Sequence, residues 1–261
     1  MTRPRRVLVV GATGSVGQLV VAEALREGYA VRALVRDLGR ASGLPARAER
    51  VVGDLTRPDT LAAAVAGVDA VVFTHGSTGG GKSGSEHIDY AGVRNVLAAL
   101  GSNPARVALM TAIGVTNRTG AYNRATEAHD WKRRSERLVR ASGRPYMIVR
   151  PGWFDYNDTD QHRLVFLQGD TRHAGDPSDG VVARRQIAEA LVRSLASEAA
   201  NRKTFELVAE RGPAPLELDS LFAKLEPDAP GALDACRDSA NMPLTQEPDR
   251  VRDDLVRVTP R

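Results

Sequence analysis

The sequence lacks the features of disulfide-rich, zinc-binding and membrane-spanning proteins. Among 261 residues there is one cysteine, Cys236, so the chain can form no internal disulfide and no cysteine-based zinc site. No apolar run approaches the roughly 18 residues of a membrane span. The run after the basic residues 1–6 covers only residues 7–10, too short for a signal-peptide core. These absences predict a protein of the cytoplasm that does not enter a membrane.

The sequence also lacks a concentrated patch of one charge. Its 36 lysines and arginines and 32 acidic residues give a net charge of +4, and the two signs are interleaved along the chain. This pattern does not favour nucleic acid as a partner, so we expect a small-molecule substrate, with a homodimer left open. His162 and His173 lie among aspartates at irregular spacing, which predicts a solvated loop and no metal site.

Apolar runs alternate with amphipathic helical patterns through residues 1–150. This order is typical of a parallel sheet covered by helices on both faces. The predicted strands are residues 7–10, 30–35, 50–52, 69–73, 107–110 and 146–149. The predicted helices are residues 15–27, a segment with Pro58 near its first turn, 86–100 and 127–141. The sequence therefore predicts an α/β fold, with a Rossmann-type doubly wound parallel sheet as its core.

The alternation becomes irregular after residue 150. We interpret residues 151–261 as a small C-terminal elaboration of the substrate region, packed on the core. It is predicted to return a helix, residues 185–195, and a strand, residues 204–208, to the core. An aromatic loop, a Gly- and Asp-rich loop and a short helix are predicted at residues 153–156, 169–180 and 216–225.

A glycine-rich turn follows the first predicted strand. Gly11, Gly14 and Gly17 lie in the string VLVVGATGSVGQLV, between strand and helix. Missing side chains there let a pyrophosphate approach the backbone and the helix N-terminus. A tight structural turn could use the same glycines, but the strand before and the helix after favour dinucleotide binding. The cofactor contacts predicted from this turn are Gly11, Thr13, Gly14, Ser15, Val16 and Gly17.

Arg36 stands at the end of the second predicted strand. Folds that prefer NAD usually place an acid there to bind the ribose hydroxyls, whereas here the acid, Asp37, comes one residue later. A guanidinium suits the 2′-phosphate of NADP(H). The alternative is a solvated strand end. The sequence therefore favours NADP(H), with NAD(H) as the second choice.

Further segments match one family when they are read together with the turn. They are GATGSVG, the pair Asp54-Leu55, IDYAGVRNVLAAL, WKRRSERLVRASGRPYMIVRPGW and ARRQIAEALVRSL, within about residues 5–210. The chain resembles the atypical short-chain dehydrogenase/reductases with an NAD(P)H-binding, NmrA-like domain. The resemblance implies that Asp54 and Leu55 lie by the adenine, and that Thr74, His75 and Gly76 lie beside the ribose-nicotinamide half. The family includes quinone, dye, flavin and isoflavonoid-type reductases, and redox sensors without turnover.

The catalytic residues of this superfamily are matched only in part. Its better-known dehydrogenases place a tyrosine and a lysine four residues apart on one helix face. Here Lys132 matches the lysine, but Ala128 stands at the tyrosine position, and His129 lies about 100° round the helix. Thr111 matches the serine or threonine that hydrogen-bonds a carbonyl, so we expect its hydroxyl to face the acceptor. We expect the Lys132 ammonium to point toward the nicotinamide ribose and donate to its hydroxyls. The alternative is that Lys132 belongs to a water-facing basic run, residues 132–134. The proton donor stays unassigned.

A second phosphate-binding pattern occurs at residues 76–83. The string GSTGGGKS fits GxxxxGK[ST] after a strand, the context that a P-loop needs. Two phosphate-cradling loops on adjacent strands would need two nucleotides close together, and the following IDYAGVRN fits the dehydrogenase pattern. We therefore interpret residues 79–85 as a flexible loop at the cofactor site, and a P-loop nucleotide hydrolase as the least favoured alternative.

Trp153, Phe154 and Tyr156 form an aromatic cluster after the last core strand. They could pack in the core or stack on a planar substrate. The predicted function is an NADP(H)-dependent oxidoreductase that transfers hydride to a planar carbonyl or quinone-type acceptor. The alternative is a non-catalytic NADP(H)-binding redox sensor or regulator. The missing tyrosine does not decide between them, because the cofactor carries the chemistry and the protein supplies orientation.

Overall fold

The computed structural model describes residues 4–77 and 79–260. Ten strands occur in these residues: β1 (Arg6–Val10), β2 (Ala30–Val35), β3 (Glu49–Val52), β4 (Ala70–Phe73), β5 (Arg106–Met110), β6 (Tyr146–Pro151), β7 (Trp153–Phe154), β8 (Arg163–Leu167), β9 (Val181–Val182) and β10 (Lys203–Glu210). Eight of the described strands form one sheet in the order β3-β2-β1-β4-β5-β6-β10-β8, and β7 pairs with β9. Every neighbouring pair in the large sheet is parallel except β10 and β8.

The helices cover both faces of this sheet. The described helices are α1 (Ser15–Arg26), α2 (Ala62–Val65), α3 (Gly81–Gly84), α4 (Ala91–Leu100), α5 (Ala121–Thr126), α6 (Ala128–Ala141), α7 (Arg184–Ser194), α8 (Asp219–Ala223) and α9 (Asp249–Val258). A π-helical turn, Ser85–Tyr90, joins α3 to α4. Single 3-10 turns are Gly39–Ala41, Pro58–Thr60, Pro177–Asp179 and Leu244–Gln246. No described helix is long and apolar enough to cross a membrane.

Two apolar layers hold the helices on the sheet. Successive side chains of a strand point to opposite faces, so Val7 and Val9 of β1 pack with α1 and α7, whereas Leu8 and Val10 pack with α2, α4, α6 and α9. All four of these side chains are fully buried. A strand buried on both faces has a continuous apolar sequence, as the parallel sheet requires. The predicted Rossmann-type α/β fold is confirmed.

Residues 81–85, within the flexible loop that we predicted at residues 79–85, are helical. A helical segment begins at Gly81, runs through the π-helical turn and continues as α4. The Gly84 N–H donates to the Gly80 carbonyl at 2.9 Å. Tyr90 packs on Trp131 of α6, with ring centroids 5.3 Å apart. Packing of this kind outweighs the low helix propensity of the glycines.

The sequence did not predict strand β8 or helix α9. The helix that was predicted at residues 216–225 is present but shorter, and covers Asp219–Ala223. The segment of β8, RLVFL, lies between polar stretches and has no alternating pattern. It pairs antiparallel with β10. Helix α9 buries only Val251, Asp254 and Leu255, so its apolar face is narrow. Both elements depend on partners that are distant in sequence.

Residues 226–258, the C-terminal segment, pack against α6. The basic run of α6 does not face water, because Arg133 is fully buried and Arg134 nearly so. Arg133 Nε lies 3.0 Å from Asp234 Oδ1, and Arg134 Nε lies 2.6 Å from Glu247 Oε2. One turn further on, Arg137 bridges the same two carboxylates. The polar face of α6 is therefore an internal charged layer.

Candidate active site

A cleft of about 790 Å³ opens at the carboxyl ends of β1, β2, β4 and β5. In an open α/β sheet this edge is where ligands bind, beside the point at which the strand order reverses. The predicted site residues that line it are Gly11, Thr13, Gly14, Ser15, Val16, Arg36, Asp54, Leu55, Thr74, His75, Gly76, Thr111, Lys132 and Phe154. The structure therefore brings together residues that follow five neighbouring strands of the sheet, β3-β2-β1-β4-β5.

The glycine-rich turn joins β1 to α1 with little space between them. Gly11 has φ +85°, which favours glycine, and its carbonyl accepts the Gly14 N–H at 2.9 Å. A Cβ on Gly17 would lie 2.0 Å from the Gly11 oxygen, so Gly17 supports the turn without lining the cleft. Among the described residues no side chain caps the N-terminus of α1. Its first N–H groups and the positive end of its dipole therefore suit a pyrophosphate.

The opposite end of the cleft is formed by residues that follow β2 and β3. Arg36 is exposed at its rim, and Leu55 supplies an apolar wall. The Asp54 carboxylate accepts hydrogen bonds from the Thr56 N–H and hydroxyl, both at 2.8 Å. The Thr56 N–H in particular lowers the pKa of Asp54, and the charge of Arg36 adds to the effect. This end therefore combines a charged rim with an apolar wall.

Lys132 faces the cleft and its ammonium is held in place. Its Nζ lies 3.3 Å from Asp89 Oδ1, and its side chain is 19% exposed. Asp89 is buried and accepts hydrogen bonds from the Ser77 N–H at 2.9 Å and the Ser77 hydroxyl at 2.7 Å. Because the carboxylate is fixed from two sides, the ammonium next to Gly76 has little freedom to turn away.

His75 lines the cleft close to Lys132. Burial lowers the pKa of its imidazole to about 4, so the ring is neutral at physiological pH. Its Nε2 lies 3.1 Å from the Ile88 carbonyl, which fixes Nε2 as the protonated nitrogen. The buried Nδ1 has no hydrogen-bond partner among the described residues. His75 can therefore accept a hydrogen bond at Nδ1, and it does not serve as an acid near neutral pH.

We expected the hydroxyl of Thr111 to face the acceptor, but in the structure it points to Glu136. Thr111 lines the cleft, but its Oγ1 donates to Glu136 Oε1 at 2.7 Å. Burial alone would raise the pKa of Glu136, yet the charge of Arg150, 2.7 Å away, and that of Arg140 lower it to about 2. The carboxylate thus stays ionised and continues to accept the hydrogen bond from the Thr111 hydroxyl. Ala128, at the tyrosine position, is buried.

The aromatic cluster is divided between two environments. Phe154 lines the cleft, whereas Trp153 and Tyr156 do not. Trp153 instead packs edge-to-face on Tyr156, with ring centroids 6.0 Å apart, and Tyr156 is 63% exposed. Of the three predicted substrate residues, the structure brings only Phe154 to the cleft.

The geometry around Lys82 does not favour the P-loop alternative. Its Nζ lies 2.9 Å from Glu127 Oε1, so the lysine reaches toward α6 and not back over the preceding loop. Thr78, within the pattern, lies outside the described residues. Residues 4–77 and 79–260 contain no grouping of three His, Cys, Asp or Glu side chains that could hold a metal ion.

Sequence reasoning missed Ser77 and Asp89, which hold Lys132, and Arg184, which contacts the glycine-rich turn beside the cleft. Arg184 Nε donates to the Ser15 hydroxyl at 3.0 Å, across 169 positions of the chain. The only feature of the sequence that could have pointed to Arg184 is the segment ARRQIAEALVRSL. The family resemblance includes this segment without giving it a role.

The sequence profile of the NAD(P)H-binding family matches residues 11–198. The chain belongs to this family. The match begins at the glycine-rich turn and includes α7. The NAD(P)H-binding domain that the resemblance implied is therefore confirmed.

Similar proteins have differing names. Rice (Oryza sativa subsp. japonica) protein TIC 62, chloroplastic, is 34% identical over 229 residues, which are 76% of this chain and 44% of the rice protein. Sanguinarine reductase of Eschscholzia californica is 25% identical over 262 residues, covering 84% and 95%. A solved structure from Bacillus halodurans, provisionally assigned as an NAD-dependent epimerase/dehydratase, has a TM-score of 0.70 at 24% identity, covering 85% and 100%. This chain spans less than half the rice relative, and its cytoplasmic location stays a prediction.

Proposed function

We propose that the protein is an NADPH-dependent reductase that transfers hydride to a planar carbonyl or quinone-type acceptor. The observation that carries this proposal is the ammonium of Lys132, fixed by Asp89 and facing a cleft that extends to the ring of Phe154. A cationic group at this end stabilises negative charge that develops on an acceptor oxygen. The aromatic ring offers a flat apolar surface to a planar acceptor.

The preference for NADPH rests on the two residues after β2. Arg36 is exposed at the rim of the cleft, where its guanidinium can form paired hydrogen bonds with a 2′-phosphate. Asp37 is the acid that could bind ribose hydroxyls, but its Oδ1 accepts the Gly39 N–H at 2.8 Å. The carboxylate is therefore engaged in its own turn, which favours the phosphorylated cofactor.

The proton for the acceptor is assigned to Lys132. The bound cofactor supplies the hydride, and the acceptor oxygen gains an electron pair and needs one proton. Of the two titratable side chains at this end of the cleft in the described chain, His75 is neutral and Lys132 is charged. Lys132 Nζ gives the proton, and Asp89 keeps the ammonium directed at the cleft.

A second candidate function is a redox sensor that binds NADPH without turnover. It is favoured by the two altered positions of the dehydrogenase set: Ala128 has no acidic group, and the Thr111 hydroxyl donates to Glu136. A protein with this site could still bind the cofactor tightly, because the glycine-rich turn and Arg36 do not depend on those positions.

One experiment ranks the candidates. NADPH oxidation is followed with a panel of quinones, aromatic ketones and dyes, beside direct binding of NADP⁺, NADPH and ATP. Turnover that is lost in a Gly14→Leu variant supports the reductase. Tight cofactor binding with no turnover supports the sensor, and ATP binding without dinucleotide binding would support the P-loop alternative.

A further inference from the structure

Arg184 is the first residue of α7, which packs beside α1 on the same face of the sheet. Its side chain reaches the glycine-rich turn, where Nε donates to the Ser15 hydroxyl at 3.0 Å. Ser15 is the first residue of α1 and lines the cleft. The guanidinium therefore lies at the uncapped helix end that suits a pyrophosphate.

The guanidinium also contacts the other wall of the cleft. Its central carbon lies 5.2 Å from the centroid of the Phe154 ring, within the range of a cation–π contact. Ser15 and Phe154 both line the cleft, on the glycine-turn side and on the acceptor side respectively. Arg184 thus connects the two walls across the opening between them.

Asp155 holds Arg184 in this position. Its carboxylate accepts the Arg184 N–H at 2.9 Å and forms an ion pair with the guanidinium. Asp155 has φ +58°, a backbone conformation that is uncommon outside glycine. The side chain of Arg184 is nonetheless 34% exposed, so part of its N–H surface can receive another acceptor. The guanidinium is therefore oriented before any ligand arrives.

The charge of a dinucleotide indicates where a cationic side chain is needed in the cleft. Its pyrophosphate carries two negative charges at the N-terminus of α1, where the helix supplies only backbone dipoles. The other cations at the cleft, Arg36 and Lys132, belong to the adenosine and acceptor ends. Arg184 is the cation that contacts the glycine-rich turn among the described residues.

We propose that Arg184 binds the pyrophosphate of the cofactor and closes over it from α7, with Asp155 as its positioning residue. The inference rests on dinucleotide binding at the glycine-rich turn and does not depend on reductase activity. It predicts that Arg184 recognises any ligand with a pyrophosphate at this turn, whether or not that ligand carries a 2′-phosphate or a nicotinamide.

The test measures binding of four ligands by calorimetry to wild type, Arg184→Ala and Arg36→Ala. NADPH, NADH and ADP-ribose contain the pyrophosphate, and adenosine 2′-monophosphate does not. We expect Arg184→Ala to weaken the first three by about tenfold each and to leave adenosine 2′-monophosphate unchanged. Arg36→Ala should give a different pattern, weakening NADPH and adenosine 2′-monophosphate only. The Arg184 effect should shrink as salt is raised, because the side chain is partly exposed.

Arg185→Ala is the matched control, since the next residue of α7 is 77% exposed and pairs with Glu189. It should bind all four ligands as wild type does. Unchanged affinities in Arg184→Ala, with wild type binding the dinucleotides, would overturn this inference alone. Equal losses for all four ligands would also overturn it, because they would mean a general distortion of the cleft. Failure of wild type to bind any dinucleotide would instead overturn the proposed function.

Discussion

The ammonium of Lys132 lies 3.3 Å from the carboxylate of Asp89, and the two residues come from different helical segments. Asp89 belongs to the π-helical turn after β4, and Lys132 belongs to α6. The Ser77 hydroxyl and N–H fix the carboxylate from the loop at the end of β4. The direction of the lysine side chain is therefore set by three parts of the fold together.

We expect Lys132→Met to slow turnover at least tenfold, or about 1.4 kcal/mol, because it removes the proton donor and the charge beside the acceptor. Lys224→Met, at an exposed lysine, is the control and should keep wild-type rates. Steady-state kinetics with the best acceptor of the panel measures both variants. If the two variants have the same rate, Lys132 has no chemical role and the acceptor takes its proton from another group.

Arg36→Ala should weaken NADPH binding by about tenfold or more and leave NADH nearly unchanged, because only NADPH carries the phosphate that the guanidinium binds. Arg47→Ala, at an exposed arginine that does not line the cleft, should bind both cofactors as wild type does. Fluorescence titration with the two reduced cofactors gives the ratio of affinities. An equal loss for both cofactors would contradict the assignment of NADPH.

Gly14→Leu should abolish dinucleotide binding in a folded protein. A Cβ on Gly14 would meet only the Gly11 oxygen, at 3.2 Å, and φ is −74°, so the backbone tolerates a side chain that then projects into the pyrophosphate path. Gly43→Leu is the control, since no atom lies closer than 4.0 Å to its added Cβ. Circular dichroism and cofactor titration are measured on both variants. Retained affinity in Gly14→Leu would place the cofactor elsewhere.

Arg137→Met should destabilise the fold by about 3 to 5 kcal/mol, because it leaves the carboxylates of Asp234 and Glu247 with one fewer buried cation. Exposed Arg185→Met should stay within about 0.5 kcal/mol of wild type. Urea unfolding gives both values. Equal stability of the two variants would show that the charged layer between α6 and the C-terminal segment adds nothing to folding.

The free energy of unfolding should decrease as the pH rises, because of the buried carboxyl of Glu206. Burial raises the pKa of this carboxyl to about 8; the charge of Arg150, 3.4 Å away, lowers it only in part, and the charge of Asp170 raises it further. A carboxyl with a raised pKa binds more protons in the folded state than in the unfolded state, whose pKa is near 4.5. The folded state is therefore penalised progressively as pH rises from 4.5 to 8.

Glu206→Gln removes this titration. The Tm of the variant minus the Tm of wild type should therefore increase as the pH rises from 5 to 8. Glu210→Gln, on the same strand with a side chain 44% exposed, should follow wild type throughout. Parallel Tm curves for wild type and Glu206→Gln would mean that Glu206 is ionised in the folded protein.

The sequence predicted those parts of the molecule that depend on local patterns. The continuous apolar runs predict that strands β1 and β4 are buried on both faces of the sheet, as they are. The glycines between β1 and α1 predict that the backbone comes close to another group there, as it does. Arg36 could be placed because it directly follows a strand that was itself recognisable.

Contacts between distant residues could not be predicted in the same way. Arg184 contacts Ser15 across 169 positions, and nothing in the local sequence of either residue indicates the other. A water-facing run that included Arg133 and Arg134 was one of two interpretations of the sequence, because charged residues are usually solvated. The two arginines are buried because acids far along the chain pair with them, and single-sequence reasoning does not match distant charges. Thr111 could be placed at the cleft because it directly follows a recognisable strand. The direction of its hydroxyl could not be predicted, because it depends on the distant Glu136.

The charged layer also sets an order of events during synthesis. Asp228, Asp234 and Glu247, which pair with Arg140, Arg137 and Arg134, are translated between 88 and 113 residues after them. A nascent chain that has completed α1 to β6 already contains the glycine-rich turn and Lys132, but not the acids that neutralise the inner face of α6. Until those acids emerge from the ribosome, the helix that carries Lys132 keeps cations at an uncovered surface. Docking of the C-terminal segment is thus the step at which the charged face of α6 becomes covered.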